Sequence, residues 1–434
     1  MATRRVTHTA KTGTGTGPLW IRRHVEISHG GEEDMSNRSR FGALLATLAF
    51  VATACTGGAT TAPASGAAGG ALTGTLTVWE SYGSGAGTEP DAFRAILANV
   101  KTANPGLTVN VQDVKFDDLF KNFELDAASG GGPDLFIAPN DSLGKEARAK
   151  LFLALDDKLA GKLGNDSQVS IDGSKVDGKL YMVPESLKAV GMFYDGATVT
   201  KAPATTAELL AGVKDGSLKL GINQGSYHNF GWWGAFGGKL MDASGKCVAD
   251  QAGVADSYKY LADLKAAGAT FYKKYDDLAT AFKTGKVNVI IDGPWATGGY
   301  LTALPKLAVA PMPAGPTGPA QPMTGVDGWY INANSKNADL AVAFALQMVS
   351  PANEALFVKA GHIPADKTVA VTDPITLKFA DAVKTGFPRP QVAQLDNFWG
   401  NFDNALNSVI DKGTDPVQAT KDACTAMNTA NKIP

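Results

Sequence analysis

"LTVWESYGSGAGTEPDAFRAILANVKTANPGLTVNVQDV" (76–114) is the stretch that decides the fold. Its first five residues alternate as a half-buried strand does. Pro90 is placed to open a helix, and Phe93, Ile96, Leu97 and Val100 fall on one face of it. "NPG" (104–106) ends that helix, and 107–114 alternates again. Beyond it, Phe116, Leu119, Phe120 and Phe123 mark a second amphipathic helix, "SGGGPD" (129–134) stops it, and "LFIA" (135–138) is a short apolar strand. Strand, helix, strand, helix, strand is the order of parallel βαβ units with right-handed crossovers.

Open sheets of this kind take ligands beyond the carboxyl ends of their strands. The residues there are Glu80, Ser81 and Tyr82 after the first strand, and Asn140 and Asp141 after the third. "GSGAG" (83–87) lacks the spacing of a dinucleotide fingerprint and reads as a flexible turn. A second α/β unit follows, with strands at 218–223 and 287–292 and helices at 226–238 and 253–268. "GPW" ends the last of those strands, so Trp295 stands at a ligand-facing edge. After "GWYINANS" (328–335) helical spacing dominates, over 337–350, 352–360, 373–385, 395–411 and 415–430.

The segment ahead of this domain is of another kind. Phe41–Ala54 is a run of small and apolar residues behind Arg38 and Arg40. It is shorter than the roughly 20 residues a bilayer span needs and fits a secretory signal. Ala52-Thr53-Ala54-Cys55 resembles the lipobox of bacterial lipoproteins, whose cysteine is acylated and becomes the new N-terminus; ordinary signal cleavage is the alternative. The Gly/Thr/Ala tract after Cys55 reads as a tether. Met35 heads a signal of normal proportions, and residues 1–34 read as an extension ahead of the true start. The expected organisation is thus 1–34 extension, 35–54 signal peptide, 55–74 lipidated Cys55 and tether.

From Cys55 onward 380 residues remain, too many for one ordinary core, so two lobes are expected. There, 33 Lys and Arg face 38 Asp and Glu, a net charge of −5 with no basic stripe, which argues against nucleic acid. His228 and His362 are the histidines of this part, far apart in sequence, which argues against a His-based zinc site. No phosphate-loop pattern occurs, and no cofactor is expected. Cys247 and Cys424 form an even pair, which in an exported protein suggests a disulfide.

Five segments in order carry a resemblance: "LTVW" at the first strand, "AASGGGPDLFIAPNDSLG" (127–144), "DGKLYMVPESLKAVGMFYD" (177–195), "AFKTGKVNVIIDGPWA" (281–296) and "LDNFWGNFDNAL" (395–406). Over about residues 75–432 the chain resembles the maltose-binding protein group of ABC-transporter solute-binding proteins. The resemblance implies a two-lobed α/β periplasmic-binding-protein fold with crossings near Leu187–Ala189, Thr324–Gly328 and Ala360–Pro364. Lobe one would be 75–187 plus 328–360, and lobe two 189–324 plus 364–434. A sugar, maltose, a maltooligosaccharide or a related oligosaccharide, would lie between them. Hinge closure would present the closed form to the permease subunits. A monomer, held to the membrane by its lipid alone and without enzymatic activity, is expected.

The family's site maps unevenly. Trp295 and Trp399 match sugar-stacking aromatics, Asp141 a hydroxyl acceptor, and Tyr227 another aromatic of the site. A pyranose has C–H faces that lie on rings and edge hydroxyls that demand polar partners. Ala138 stands where the family has a tryptophan, and Lys188 and Gly225 where it has carboxylates; "ESYGSG" (80–85) replaces a polar group. Tyr82 and Glu80, with Ser81 between them, are the candidate replacements, and Lys188 and Asp327 stand at the crossings. Trp79, Trp232, Trp233 and Trp329 are candidates for the core. On the family's map Cys247 and Cys424 both fall in lobe two, so a bond between them would leave the hinge free. Two other functions stay open: a secreted glycoside hydrolase, needing a carboxylate pair such as Asp141 with Glu185 or Asp327, and a sugar-binding surface lipoprotein without transport.

Overall fold

In the computed structural model the described residues are 70–83, 88–251 and 253–433. The signal, Cys55, most of the tether and 84–87 lie outside them. Two sheets organise the rest. The larger runs, in spatial order, Ile363–Pro364, Met182–Lys188, Met323–Ile331, Leu135–Pro139, Gly74–Glu80 and Leu107–Asp113, with Phe387–Pro388 paired to the start of Met323–Ile331. The smaller runs Leu307–Ala310, Gly191–Asp195, Val289–Asp292, Leu220–Asn223 and Thr270–Tyr272.

The expected βαβ units are there: Gly74–Glu80 pairs in parallel with both Leu107–Asp113 and Leu135–Pro139. Both faces of this sheet are covered, as parallel sheets require. Leu76 and Val78 pack beneath Phe93, Ile96, Val100 and Phe357, while Trp79 faces Phe123 and Phe136. The structure adds antiparallel strands to these parallel units. Met323–Ile331 runs antiparallel between Leu135–Pro139 and Met182–Lys188 in the larger sheet, and Gly191–Asp195 does the same between Val289–Asp292 and Leu307–Ala310 in the smaller. Met182–Lys188, Gly191–Asp195 and Met323–Ile331 are the strands by which the chain changes sheet, leaving the larger at Lys188, entering the smaller at Gly191, and returning at Met323. Gly191–Asp195 and Met323–Ile331 each arrive from the other sheet without the helical crossover that parallel pairing needs.

The register between Met182–Lys188 and Met323–Ile331 breaks between Asp327 and Gly328: Asp327 faces Ser186, Gly328 faces Pro184, and Glu185 is the extra residue. Such a bulge accommodates a proline inside a central strand and re-aims its neighbours. An apolar cluster continues through this region, joining Met182, Leu187 and Tyr330 to Phe193, Val309 and Phe379.

Trp232, Trp233 and Trp329 are fully buried. Trp232 and Trp233 both reach core because the helix Ser226–Ala235 is wrapped on two sides, by Tyr260 on one and by Phe398 and Phe402 on the other. Cys247 and Cys424 are joined, with Cα atoms 5.4 Å apart, and the bond ties the helix Pro416–Ala430 to the turn before Val254–Ala267. Among the described residues no single helix is long and apolar enough to cross a membrane.

Two buried carboxyl groups give the fold a pH dependence. Burial, with Glu124 alongside, pushes Glu146 up to about 8; burial, with Glu185 nearby, pushes Glu354 up to about 9. Each keeps a proton in the folded chain that the unfolded chain releases above 4.5. Their stabilising contribution is therefore whole below that pH and is lost as pH rises through the folded values. His362 acts in the same direction. Burial opposes its charge, but Glu185 and Glu89 hold its pKa well above 6.5, so its contribution is also lost as pH rises. The expected result is a Tm that falls between about pH 6 and 9, and a Glu354→Gln variant in which the fall is shallower. A wild-type Tm that is flat across that range would contradict the assignment.

Candidate functional site

Trp295 leaves the end of strand Val289–Asp292 through the turn Pro294–Ala296. A Cβ on Gly293 would lie 2.5 Å from Trp295 Cε3, so a glycine is needed for the indole to lie across this backbone. Its Nε1 donates to the Tyr275 hydroxyl at 3.0 Å. Tyr275 donates in turn to Asp292 Oδ2 at 3.1 Å, and Tyr300 donates to the same oxygen at 2.5 Å. The ring orientation is thereby fixed from a fully buried carboxylate.

Tyr227 sits in the first turn of Ser226–Ala235, directly beyond strand Leu220–Asn223. Asn223 accepts from the Gly225 amide at 2.7 Å, and Asn229 donates to the carbonyls of Asn223 and Gly225 at 2.7 and 2.9 Å. Gly225 therefore opens this helix. Tyr227 lies 6.2 Å from Trp295 between ring centroids.

Lys188 and Asp327 form an ion pair at 2.6 Å, with the Lys188 ammonium 5.6 Å from the centre of the Trp295 ring. The bulge explains this meeting: it shifts the pairing of Asp327 to Ser186, two residues from Lys188. Asp141 does not cap the helix Leu143–Arg148. Its carboxylate is paired with Arg389 instead. The same Arg389 Nη1 donates to Asn140 Oδ1 at 2.8 Å. The guanidinium stacks against two rings, 5.3 Å from Tyr227 and 5.4 Å from Trp399.

Trp295, Tyr227, Trp399, Asp141, Lys188 and Asp327 thus come together in one set of contacts. Arg389 at its centre is a residue sequence reading missed. Three arginines follow residue 54, against thirty lysines, and one of them sits between two prolines just ahead of "NFWG". That scarcity was the available signal. Within this set the Tyr227 hydroxyl and Trp399 Nε1 are buried with no hydrogen-bond partner. Burial pushes the Tyr227 hydroxyl up, against the pull of Arg389, so it stays a protonated donor. Buried donors of this kind are destabilising unless something pairs them.

Glu80, Ser81 and Tyr82 go elsewhere. Buried Glu80 accepts from the amides of Tyr82 at 2.6 Å and Gly83 at 3.3 Å, closing its own turn, and burial pushes its carboxyl up despite those bonds. Tyr82 packs on Phe93, Phe357 and His362 with ring centroids 5.6, 5.3 and 6.2 Å apart, and Ser81 is half-buried between the two. His362 bridges Glu185 at 3.0 Å and Glu89 at 2.8 Å, and Ser186 donates to Glu185 at 2.7 Å. Glu185, a nominee for hydrolysis, is thus sealed and paired.

Residues 95–385 match the family described as bacterial extracellular solute-binding protein. A maltooligosaccharide ABC transporter solute-binding lipoprotein of Streptococcus pneumoniae is 27% identical over 354 residues, 70% of this chain and 76% of that protein. A galactooligosaccharide-binding protein of Bacillus subtilis is 26% identical over 377 residues, 80% and 87% of the two chains. The maltotriose-binding protein of Thermus thermophilus, solved with maltotriose, superposes with a TM-score of 0.75 at 26% identity over 82% of this chain and 100% of that one. The GacH receptor of Streptomyces glaucescens superposes at 0.78 over 83% and 99%, with 22% identity. The two-sheet architecture is that of these two-lobed α/β proteins, and the relatives are binding proteins rather than enzymes. With two thirds of its length inside the family's match, this chain belongs to the bacterial extracellular solute-binding proteins.

Proposed function

We propose that the chain binds an oligosaccharide between its lobes and delivers it to the permease of an ABC transporter, as a lipoprotein anchored through Cys55. Lobe one would comprise 75–187 plus 328–360, and lobe two 189–324 plus 364–434. The observation that carries the ligand class is the cluster of three rings and two ion pairs, within which Tyr227 Oη and Trp399 Nε1 are buried donors without partners. A sugar supplies what this set lacks: apolar C–H faces for the rings, and hydroxyls that both accept from the free donors and bridge the ion pairs. The named ligands of the relatives, maltooligosaccharides and galactooligosaccharides, belong to this class.

Titration calorimetry with maltotriose and a galactooligosaccharide tests the reading. Saturable binding without release of smaller sugars is expected; a chain that binds neither, or that cleaves either, would overturn it. For the anchor, Cys55→Ser is expected to release the protein from membranes and leave its sugar affinity unchanged. Two acyl chains bind stably where one does not, each buried methylene contributing about 0.8 kcal/mol. A serine variant that still fractionates with membranes as wild type does would remove Cys55 from the anchor.

A further inference from the structure

Besides the site itself, the two sides of the molecule meet at two rims. At one rim, segment 389–396 runs along segment 140–148. Arg389 holds Asn140 and Asp141, Gln391 Nε2 donates to the Asn140 carbonyl at 3.3 Å, and Arg148 Nη2 meets Asp396 at 2.6 Å. Asp396 belongs with the helices over the smaller sheet. Asn431, at the end of Pro416–Ala430, donates to the Gln394 carbonyl at 3.0 Å and accepts from Asn397 at 2.7 Å. Arg148 belongs to the helix that follows the larger sheet's strand Leu135–Pro139.

Arg389 follows the strand Phe387–Pro388, which pairs with the start of the crossing strand Met323–Ile331. Arg148–Asp396 closes the far end of the same strap, seven residues beyond Arg389. Gly144 makes the contact feasible: a Cβ there would lie 2.7 Å from Arg148 Nη2, so the guanidinium folds back over its own helix to reach Asp396. The two side chains keep 27% and 26% of their surface exposed. Two of the three arginines after residue 54 thus serve this one strap, in keeping with the geometry of arginine–carboxylate pairs.

At the other rim, Gly298 of helix Thr297–Ala303, three residues beyond Trp295, faces Thr88 at the start of Thr88–Ala103. A Cβ on Gly298 would lie 2.5 Å from Thr88 Cβ. Both positions are set by backbone, so no rotamer change relieves the overlap and the two sides must part.

We propose that the Arg148–Asp396 ion pair and the Gly298–Thr88 approach are the closures of the two rims, and that they set how long the cleft retains its ligand. Arg148, Asp396 and Gly298 are then positioning residues that act without touching ligand. The retention part rests on the sugar-binding reading; the closure part does not.

The test uses the full chain and two readouts. In small-angle scattering without sugar, Gly298→Val and Arg148→Gln are expected to give a larger radius of gyration than wild type at unchanged Tm. In stopped-flow fluorescence with maltotriose, Arg148→Gln and Asp396→Asn should each speed dissociation about two- to fivefold with association little changed, as a partly exposed ion pair allows. The double variant should be no faster than either single one, and Arg148→Lys should recover most of the loss. Gly298→Val should weaken maltotriose at least tenfold. Scattering identical to wild type for both variants would overturn the closure, and additive effects of Arg148→Gln and Asp396→Asn would overturn the latch. If wild type ignores maltotriose, the ligand class fails and scattering decides the closures alone.

Discussion

Cys424→Ala is expected to lower the unfolding free energy of the folded domain by about 2–5 kcal/mol while leaving ligand affinity at 25 °C unchanged. The loop closed by Cys247 and Cys424 spans 177 residues, which the chain-entropy account converts to roughly 5 kcal/mol as an upper figure. Both cysteines are buried in one apolar cluster with Tyr258, Leu261, Val409, Ala423 and Met427, so the bond staples the last helix to the body of its own sheet. Denaturant unfolding with and without reductant, beside thiol titration of the denatured, unreduced protein, measures this. Two free thiols in the exported protein would refute the bond, and affinity lost on reduction without unfolding would refute its purely structural role.

Trp295→Ala is expected to weaken sugar binding by 2–3 kcal/mol, about a hundredfold in Kd, and to cost much less in folding. Ring stacking contributes about 0.5–1.5 kcal/mol beyond the area covered, and the area term supplies the remainder. The folding cost is limited because Trp295 is half-buried, and because Tyr275 keeps its bond to Asp292 when the indole is gone. Calorimetry against every sugar the wild type binds, paired with Tm, separates the two effects. An affinity unchanged for all of them would exclude Trp295 from the site, whereas a collapse of Tm alone would make it a core residue. Trp329, fully buried against Phe344, shows what a purely structural tryptophan looks like in this fold.

Much of the architecture was legible before any coordinate. The helix Thr88–Ala103 and the strands on either side lie within a residue or two of the sequence reading, as do the helices Ala338–Met348, Pro351–Lys359, Pro374–Thr385 and Pro416–Ala430. The reading 395–411, in contrast, runs together the turn Ala393–Asn397 and the helix Trp399–Lys412. Periodicities of 2 and 3.6 residues are written within short windows, and proline and glycine mark where they stop. The antiparallel pairing of Met323–Ile331 with Leu135–Pro139 and Met182–Lys188 was not legible in this way. Met323–Ile331 lies more than a hundred residues from either partner, and no local pattern carries the direction of such a pairing.

The same division runs through the candidate site. From the residues alone, positions beyond strand ends could be named, and Asp141 and Trp295 were among them because a strand's end is a local feature. Which of those positions meet was decided by tertiary structure. Glu80 and Tyr82 also follow a strand, yet one closes its own turn and the other packs on Phe357 and His362. Arg389 reaches Asp141 across 248 positions of sequence, and Lys188 reaches Asp327 across 139. A side chain's chemistry is fixed by its own identity, whereas its partner depends on where the chain returns after crossing between sheets. Here that return is set by one bulge at Glu185 and one strap leading from Arg389 to Asp396.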